Sequence, residues 1–123
     1  MSQRKTDKLC EAALRGQEDV AERLLRQLKK KAVNSRWSTG MTLDGSGFGK
    51  GRTPLHIASL QGQPRIVQML ISAKASVDQV GDEEDGLRPL YVAAGSGRFE
   101  VVNALISAKA DVDAQDSVGA TPL

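Results

Sequence analysis

Ile71-Ser72-Ala73-Lys74-Ala75-Ser76-Val77-Asp78 returns as Ile106-Ser107-Ala108-Lys109-Ala110-Asp111-Val112-Asp113, seven of eight residues identical at a spacing of 35. Identity of that density at a fixed offset marks an internal repeat, and a period in this range belongs to architectures whose small units stack in a line. A second register agrees. Gly51-Arg52-Thr53-Pro54-Leu55, Gly86-Leu87-Arg88-Pro89-Leu90 and Gly119-Ala120-Thr121-Pro122-Leu123 follow one another at 35 and 33 residues. The two extra residues fall between Val77 and Gly86, within Gly81-Asp82-Glu83-Glu84-Asp85, as an insertion in a solvated turn would. The unit is therefore about 33 residues long.

Each unit reads as two short helices. The Thr53 hydroxyl can accept from a first-turn amide, and Pro54 suits the first helical position, where its missing N–H costs nothing. Gly62 ends that helix, and Pro64 opens a second, to about Ala73, with apolar Ile66, Val67, Leu70 and Ile71 on one face. The layout recurs as Pro89 to Ser96, then Gly97, then Arg98 to about Ala108, with Val101, Val102, Leu105 and Ile106 in the equivalent places. A divergent copy precedes them: Leu9, Ala12, Ala13, Gly16, Val20, Leu24 and Leu25 match Leu55, Ala58, Ser59, Gly62, Ile66, Leu70 and Ile71 at a constant offset of 46. That offset implies a 13-residue insertion, most of it in Ser35 to Lys50 and the rest lengthening the second helix through Lys29-Lys30-Lys31. In this copy Asp7 takes the cap position and Lys8 replaces proline.

Composition bounds the rest. At 123 residues and 13.1 kDa there is room for one small domain, which we take as residues 1–123. The formal net charge is +2, too balanced to announce a nucleic-acid or membrane partner, but residues 1–52 carry a net +6 and residues 53–123 a net −4. Aromatic residues are only 3% (Trp37, Phe48, Tyr91 and Phe99), so the core must be built from Leu, Ile, Val and Ala, which favours close helix packing. One cysteine, Cys10, excludes an internal disulfide and suits a reducing compartment. The polar N-terminus and the lack of any long apolar run point to a soluble, intracellular chain.

Thr53-Pro54-Leu55-His56-Ile57-Ala58, followed by Gly62, Ile66-Val67, Leu70-Ile71 and Ala75-Ser76-Val77-Asp78, resembles the ankyrin repeat, with its T-P-L-H-x-A signature and 33-residue period. The resemblance covers nearly the whole chain. It implies an all-α repeat solenoid of helix-turn-helix units with short β-hairpin-like loops, and a concave face of loop tips and first helices that grips another protein. Units then run at about 6–34, 51–80 and 86–115, with 35–50 an inserted Gly/Ser-rich loop and 119–123 the start of a truncated further repeat. The chain also departs from the pattern. Arg88 and Tyr91 replace the threonine and histidine in the third unit, removing the Thr–His hydrogen bond expected of Thr53 and His56. Lys74 and Lys109 stand where the family places a left-handed glycine, at about 1 kcal/mol each.

Other motifs fail the geometry of catalytic or ligand sites. His56, the lone histidine, has no partner at catalytic spacing and is explained by the repeat. Cys10 occupies the equivalent place in the first copy and reads as a small buried side chain. Gly45-Ser46-Gly47-Phe48-Gly49-Lys50-Gly51 matches neither the phosphate loop nor the dinucleotide pattern, and reads as a flexible loop whose Trp37, Met41 and Phe48 are candidates to dock on a partner. Lys29-Lys30-Lys31 reads as a solvated helix end, with a nuclear-import or phosphate-contacting role as the alternative. Asp82-Glu83-Glu84-Asp85 lacks calcium-loop spacing and reads as a solvated tip.

The sequence thus points to a binding module with no enzymatic activity, no cofactor, no metal and no small-molecule substrate, recognising a protein partner; membrane and nucleic acid are disfavoured. The contact residues expected from the resemblance are Leu14 and Arg15 in the first unit, Lys50, Arg52, Leu60 and Gln61 in the second, and Glu84, Asp85, Leu87 and Ser96 in the third. A positive Lys50/Arg52 tip beside a negative Glu84/Asp85 tip would form a dipolar strip. Two alternatives stand beside this: the scaffolding or targeting segment of a larger enzyme or channel whose active part lies beyond Leu123, and a nuclear regulator using the basic N-terminal half. Location is expected to be cytoplasmic, or nuclear under the last alternative.

Overall fold

The computed structural model describes residues 2–37, 52–79 and 88–110, which form seven helices. Three of these make an inner row: α1 (Ser2–Arg15), α4 (Pro54–Gln61) and α6 (Pro89–Gly95). Three make an outer row, α2 (Glu18–Gln27), α5 (Pro64–Ser72) and α7 (Phe99–Ser107), and the short α3 (Lys30–Val33) lies against α1. Within each unit the inner helix packs on its outer helix. Between units α1 meets α4 and α4 meets α6, while α2 meets α5 and α5 meets α7. The described residues contain no strand, and none of their helices is long and apolar enough to cross a membrane.

The two rows approach closely because small residues recur at the predicted offsets. Ala12 and Ala13, Ala58 and Ser59, and Ala93 with half-buried Ala94 occupy equivalent places on the inner helices. Leu9, Leu55 and Leu90, each at most 1% exposed, fill the space between rows with Ile66, Leu70, Val101 and Leu105. Burying such side chains stabilises by about 1.5–3 kcal/mol each before entropy is counted, and one core runs through all three units. The turns between inner and outer helices are equivalent too, with Gly16, Gly62 and Gly97 all left-handed at φ of 70°, 66° and 69°. A side chain there would be strained.

Lys74 and Lys109 are also left-handed, each at φ 71°, without glycine's freedom. Lys74→Gly and Lys109→Gly should each stabilise the fold by about 0.5–1 kcal/mol, read as a higher urea midpoint at unchanged m-value.

At Thr53 the expected cap is present. The His56 amide donates to Thr53 Oγ1 (3.4 Å), and the Thr53 amide donates to His56 Nδ1 (3.4 Å). The hydroxyl and Nδ1 lie 2.7 Å apart, so Nδ1 accepts and Nε2 carries the proton, a tautomer assigned from this network. Arg88, in the equivalent position, makes no side-chain cap.

The first unit differs from its sequence reading in two ways. Asp7 is not a cap: α1 starts at Ser2, because Lys8, unlike Pro54 or Pro89, neither blocks the preceding turn nor lacks a donor. Nor does α2 continue through the lysines. It stops at Gln27, Leu28 is extended (φ −98°, ψ 140°), and Lys30–Val33 form a separate turn of helix. A continuous helix would carry Ala32 and Val33 away from the core. The break instead buries both, lets the Thr6 hydroxyl donate to the Ala32 carbonyl (2.8 Å), and brings Trp37 down to 4% exposure. Asn34 then ties this connection to the next: its Oδ1 accepts from the Ser76 amide (2.6 Å) and its carbonyl from Gln79 Nε2 (2.8 Å). The predicted hairpin-like loops, the Gly/Ser-rich insertion beyond Trp37 and the Gly119–Leu123 repeat start lie outside the described residues.

Candidate functional site

The constant offsets place Arg15, Gln61 and Ser96 at one position in three successive units, and Leu14 and Leu60 beside the first two. In the structure this position is the C-terminal end of each inner helix: Arg15 ends α1, Gln61 ends α4 and Ser96 follows α6. Because α1, α4 and α6 pack in sequence, the three side chains form a row along one edge of the stack. Arg15 is exposed and pairs with Glu11 one turn back (3.2 Å), whereas Leu14, Leu60, Gln61 and Ser96 are half-buried. The row is stitched across units. Arg98 Nε donates to the Leu60 carbonyl (3.1 Å), and Gln63 lies against the Gly16 turn. Arg52 is half-buried, and its carbonyl accepts from the Trp37 amide (2.7 Å). Lys50, Glu84, Asp85 and Leu87, with the dipolar strip they would form, lie outside the described residues, as do Met41 and Phe48.

Trp37 is a correction. It is a core residue packed with the buried cluster and not an exposed anchor for a partner. Its indole sits within the common core, a tertiary placement that its polar neighbours in sequence conceal.

The first unit carries most of the positive charge. Docking of α3 on α1 through Thr6 and Ala32 sets Lys30 and Lys31 on the same unit as Arg4, Lys5 and Lys8, all exposed. The sequence showed the charges but not that α3 and α1 pack together. Between α2 and α5 an open groove of about 460 Å³ is lined by apolar Leu25, Met69 and Ala73 together with the Glu22–Arg26 ion pair (2.6 Å). Sequence reading missed it, since it exists only where two outer helices meet.

His56 and Cys10 are both fully buried. Burial, and secondarily the nearby Asp7 carboxylate, push the Cys10 thiol well above its ordinary range, so it is a poor nucleophile. The sign of the linkage follows. With the folded thiol kept neutral, the unfolded chain loses that proton first as pH passes about 8.5, and stability falls by up to about 1.4 kcal/mol per pH unit. Comparison of wild type with Cys10→Ala in urea from pH 7 to 10 should show a steeper decline for wild type, and parallel curves would refute it.

A family model described as ankyrin repeats matches residues 9–116 in three copies. Among curated proteins, none matches the chain.

Proposed function

The chain belongs to the ankyrin repeat family, and from that premise we propose that it is a non-catalytic module binding a partner protein through the concave side of its stacked repeats. Members of this family generally serve as protein–protein interaction modules. The observation that carries the reading is the row Arg15, Gln61 and Ser96, one accessible side chain per unit in register along the inner helices. A periodic row presents contacts at fixed spacing without reorganising the scaffold, which lowers the entropy cost of binding. Packing accounts for the two residues best suited to catalysis, His56 as a cap and Cys10 as core. The exposed cations of the first unit favour a partner that is acidic where it meets α1 and α3. The location that goes with this reading is the cytoplasm, or the nucleus if the basic first unit directs import.

Photo-crosslinking residues placed at Leu60 and Gln61, with Gln27 and Gln68 on the outer row as controls, test this in cells. The inner sites should capture a partner whose capture falls at least about tenfold with Gln61→Arg and Ser96→Arg together. Capture from the outer sites alone, or capture indifferent to those substitutions, would overturn the assignment.

A further inference from the structure

The row on the inner helices is not uniform, and size and charge vary along it in opposite senses. Successive units place Arg15, Gln61 and Ser96 at one position and Leu14, Leu60 and Gly95 at the position before it, so the side chains shrink toward the third unit until Gly95 carries none. Gly95 ends α6 and is not one of the left-handed glycines, so the backbone does not require glycine there. Charge is concentrated at the other end. α1 carries Arg4, Lys5, Lys8 and Arg15 against Asp7 and Glu11, whereas α4 and α6 contain no Asp, Glu, Lys or Arg. Arg15 has Glu11 beside it (3.2 Å), but both side chains are half exposed, and a pair of that kind is weak enough to share its guanidinium with a carboxylate from outside.

The pitch of the row selects what can read it. Packed helices lie about 8–10 Å apart, and α1, α4 and α6 pack in turn. A polyproline II segment rises about 3.1 Å per residue with three residues per turn, so it returns the same face about every 9 Å. A β-strand covers that distance in about three residues but then points its side chain away, because its faces alternate. An α-helix is about 10–12 Å across, and Leu14, Leu60, Gln61 and Ser96 are half-buried, which favours a thinner chain.

We propose, resting on the concave-side reading above, that the row reads a polyproline II segment of the partner in one register: an acidic side chain over Arg15 and, about six residues along, a large apolar side chain over Gly95 and Ser96 beside Leu60. The step in size and the one-sided charge fix which end of the segment lies on which unit. A reversed segment would set its carboxylate on α6, which offers no cation, and its large side chain against Leu14 and Arg15. Arg98, at the start of α7, is already engaged with the Leu60 carbonyl (3.1 Å).

The test presents the whole chain to a displayed heptapeptide library with proline fixed at the second, third, fifth and sixth positions and the others randomised. Selected peptides should carry Asp or Glu at one end and Phe, Tyr, Trp, Leu or Met at the other. With the best of them labelled by fluorescein, Arg15→Ser should weaken binding by up to about fivefold, an effect lost at high salt. Gly95→Leu with Ser96→Gln, which rebuilds the second unit's side chains on the third, should weaken it at least about tenfold and shift selection to small residues at the apolar end. Circular dichroism first establishes that each variant keeps the wild-type helix content. No selection above background, peptides without the end-to-end pattern, or patterned peptides indifferent to these substitutions would overturn the register and leave the concave-side reading to the crosslinking test. Patterned peptides that bind Gln61→Arg as well as wild type would overturn both, since the segment would then lie off the row.

Discussion

Trp37→Ala should destabilise the chain by about 3–5 kcal/mol, as expected for removing a buried indole. The side chain is 4% exposed, belongs to the central cluster, and its amide donates to the Arg52 carbonyl, so it fastens the connection leaving α3 to the start of the second unit. Small domains have about 5–15 kcal/mol in all, so this one truncation removes a large share of the total. The same residue supplies its own reporter, being the sole tryptophan: wild-type emission should be blue-shifted and move to the red on unfolding. Had the residue been a surface anchor, alanine would change stability by no more than about 0.5 kcal/mol. The urea midpoint of the variant, followed by circular dichroism, separates the two.

Leu70→Ala comes next, at about 2–5 kcal/mol. Leu70 is fully buried on α5, the outer helix that touches both α2 and α7. In a stack where units contact only their neighbours, weakening the middle unit removes support from both sides. Leu105→Ala, on α7, removes an equally buried side chain from a helix whose only described outer neighbour is α5. Leu70→Ala should therefore lower hydrogen-exchange protection in all three units, whereas Leu105→Ala should act mainly on α6 and α7. Equal and uniform losses for both would argue against nearest-neighbour behaviour.

What could be read from the sequence was whatever local chemistry decides. Proline at Pro54, Pro64 and Pro89 fixes where helices start, and Gly16, Gly62 and Gly97 fix where inner helices turn back; all six stand where the periodicity placed them. The left-handed lysines followed from position within the repeat. The first unit was less legible because its outcome depends on distant partners. Nothing between Leu28 and Trp37 says that α2 must break; the cause lies in Thr6, the Ala32 carbonyl and the space Trp37 fills. For the candidate site, Arg15, Gln61 and Ser96 were legible because they obey the same offsets as the core. Its remaining charged tips belong to connections outside the described residues. The outer groove depends on which helix faces which, information that arises only when the units are stacked.

The recurrence of one contact, Gln63 over Gly16 and then Arg98 over Gly62, bears on how such a gene can change. Because both junctions use the same positions, the second unit presents at its back what the first presents, and at its front what the third presents. Its coding segment can be duplicated or lost by unequal crossing-over and still leave faces that mate. The first unit has no such freedom: Arg23 and Gln27, both exposed, stand at the positions of Met69 and Ala73, which meet Leu25 of the preceding unit, so a copy moved to the interior would bury them.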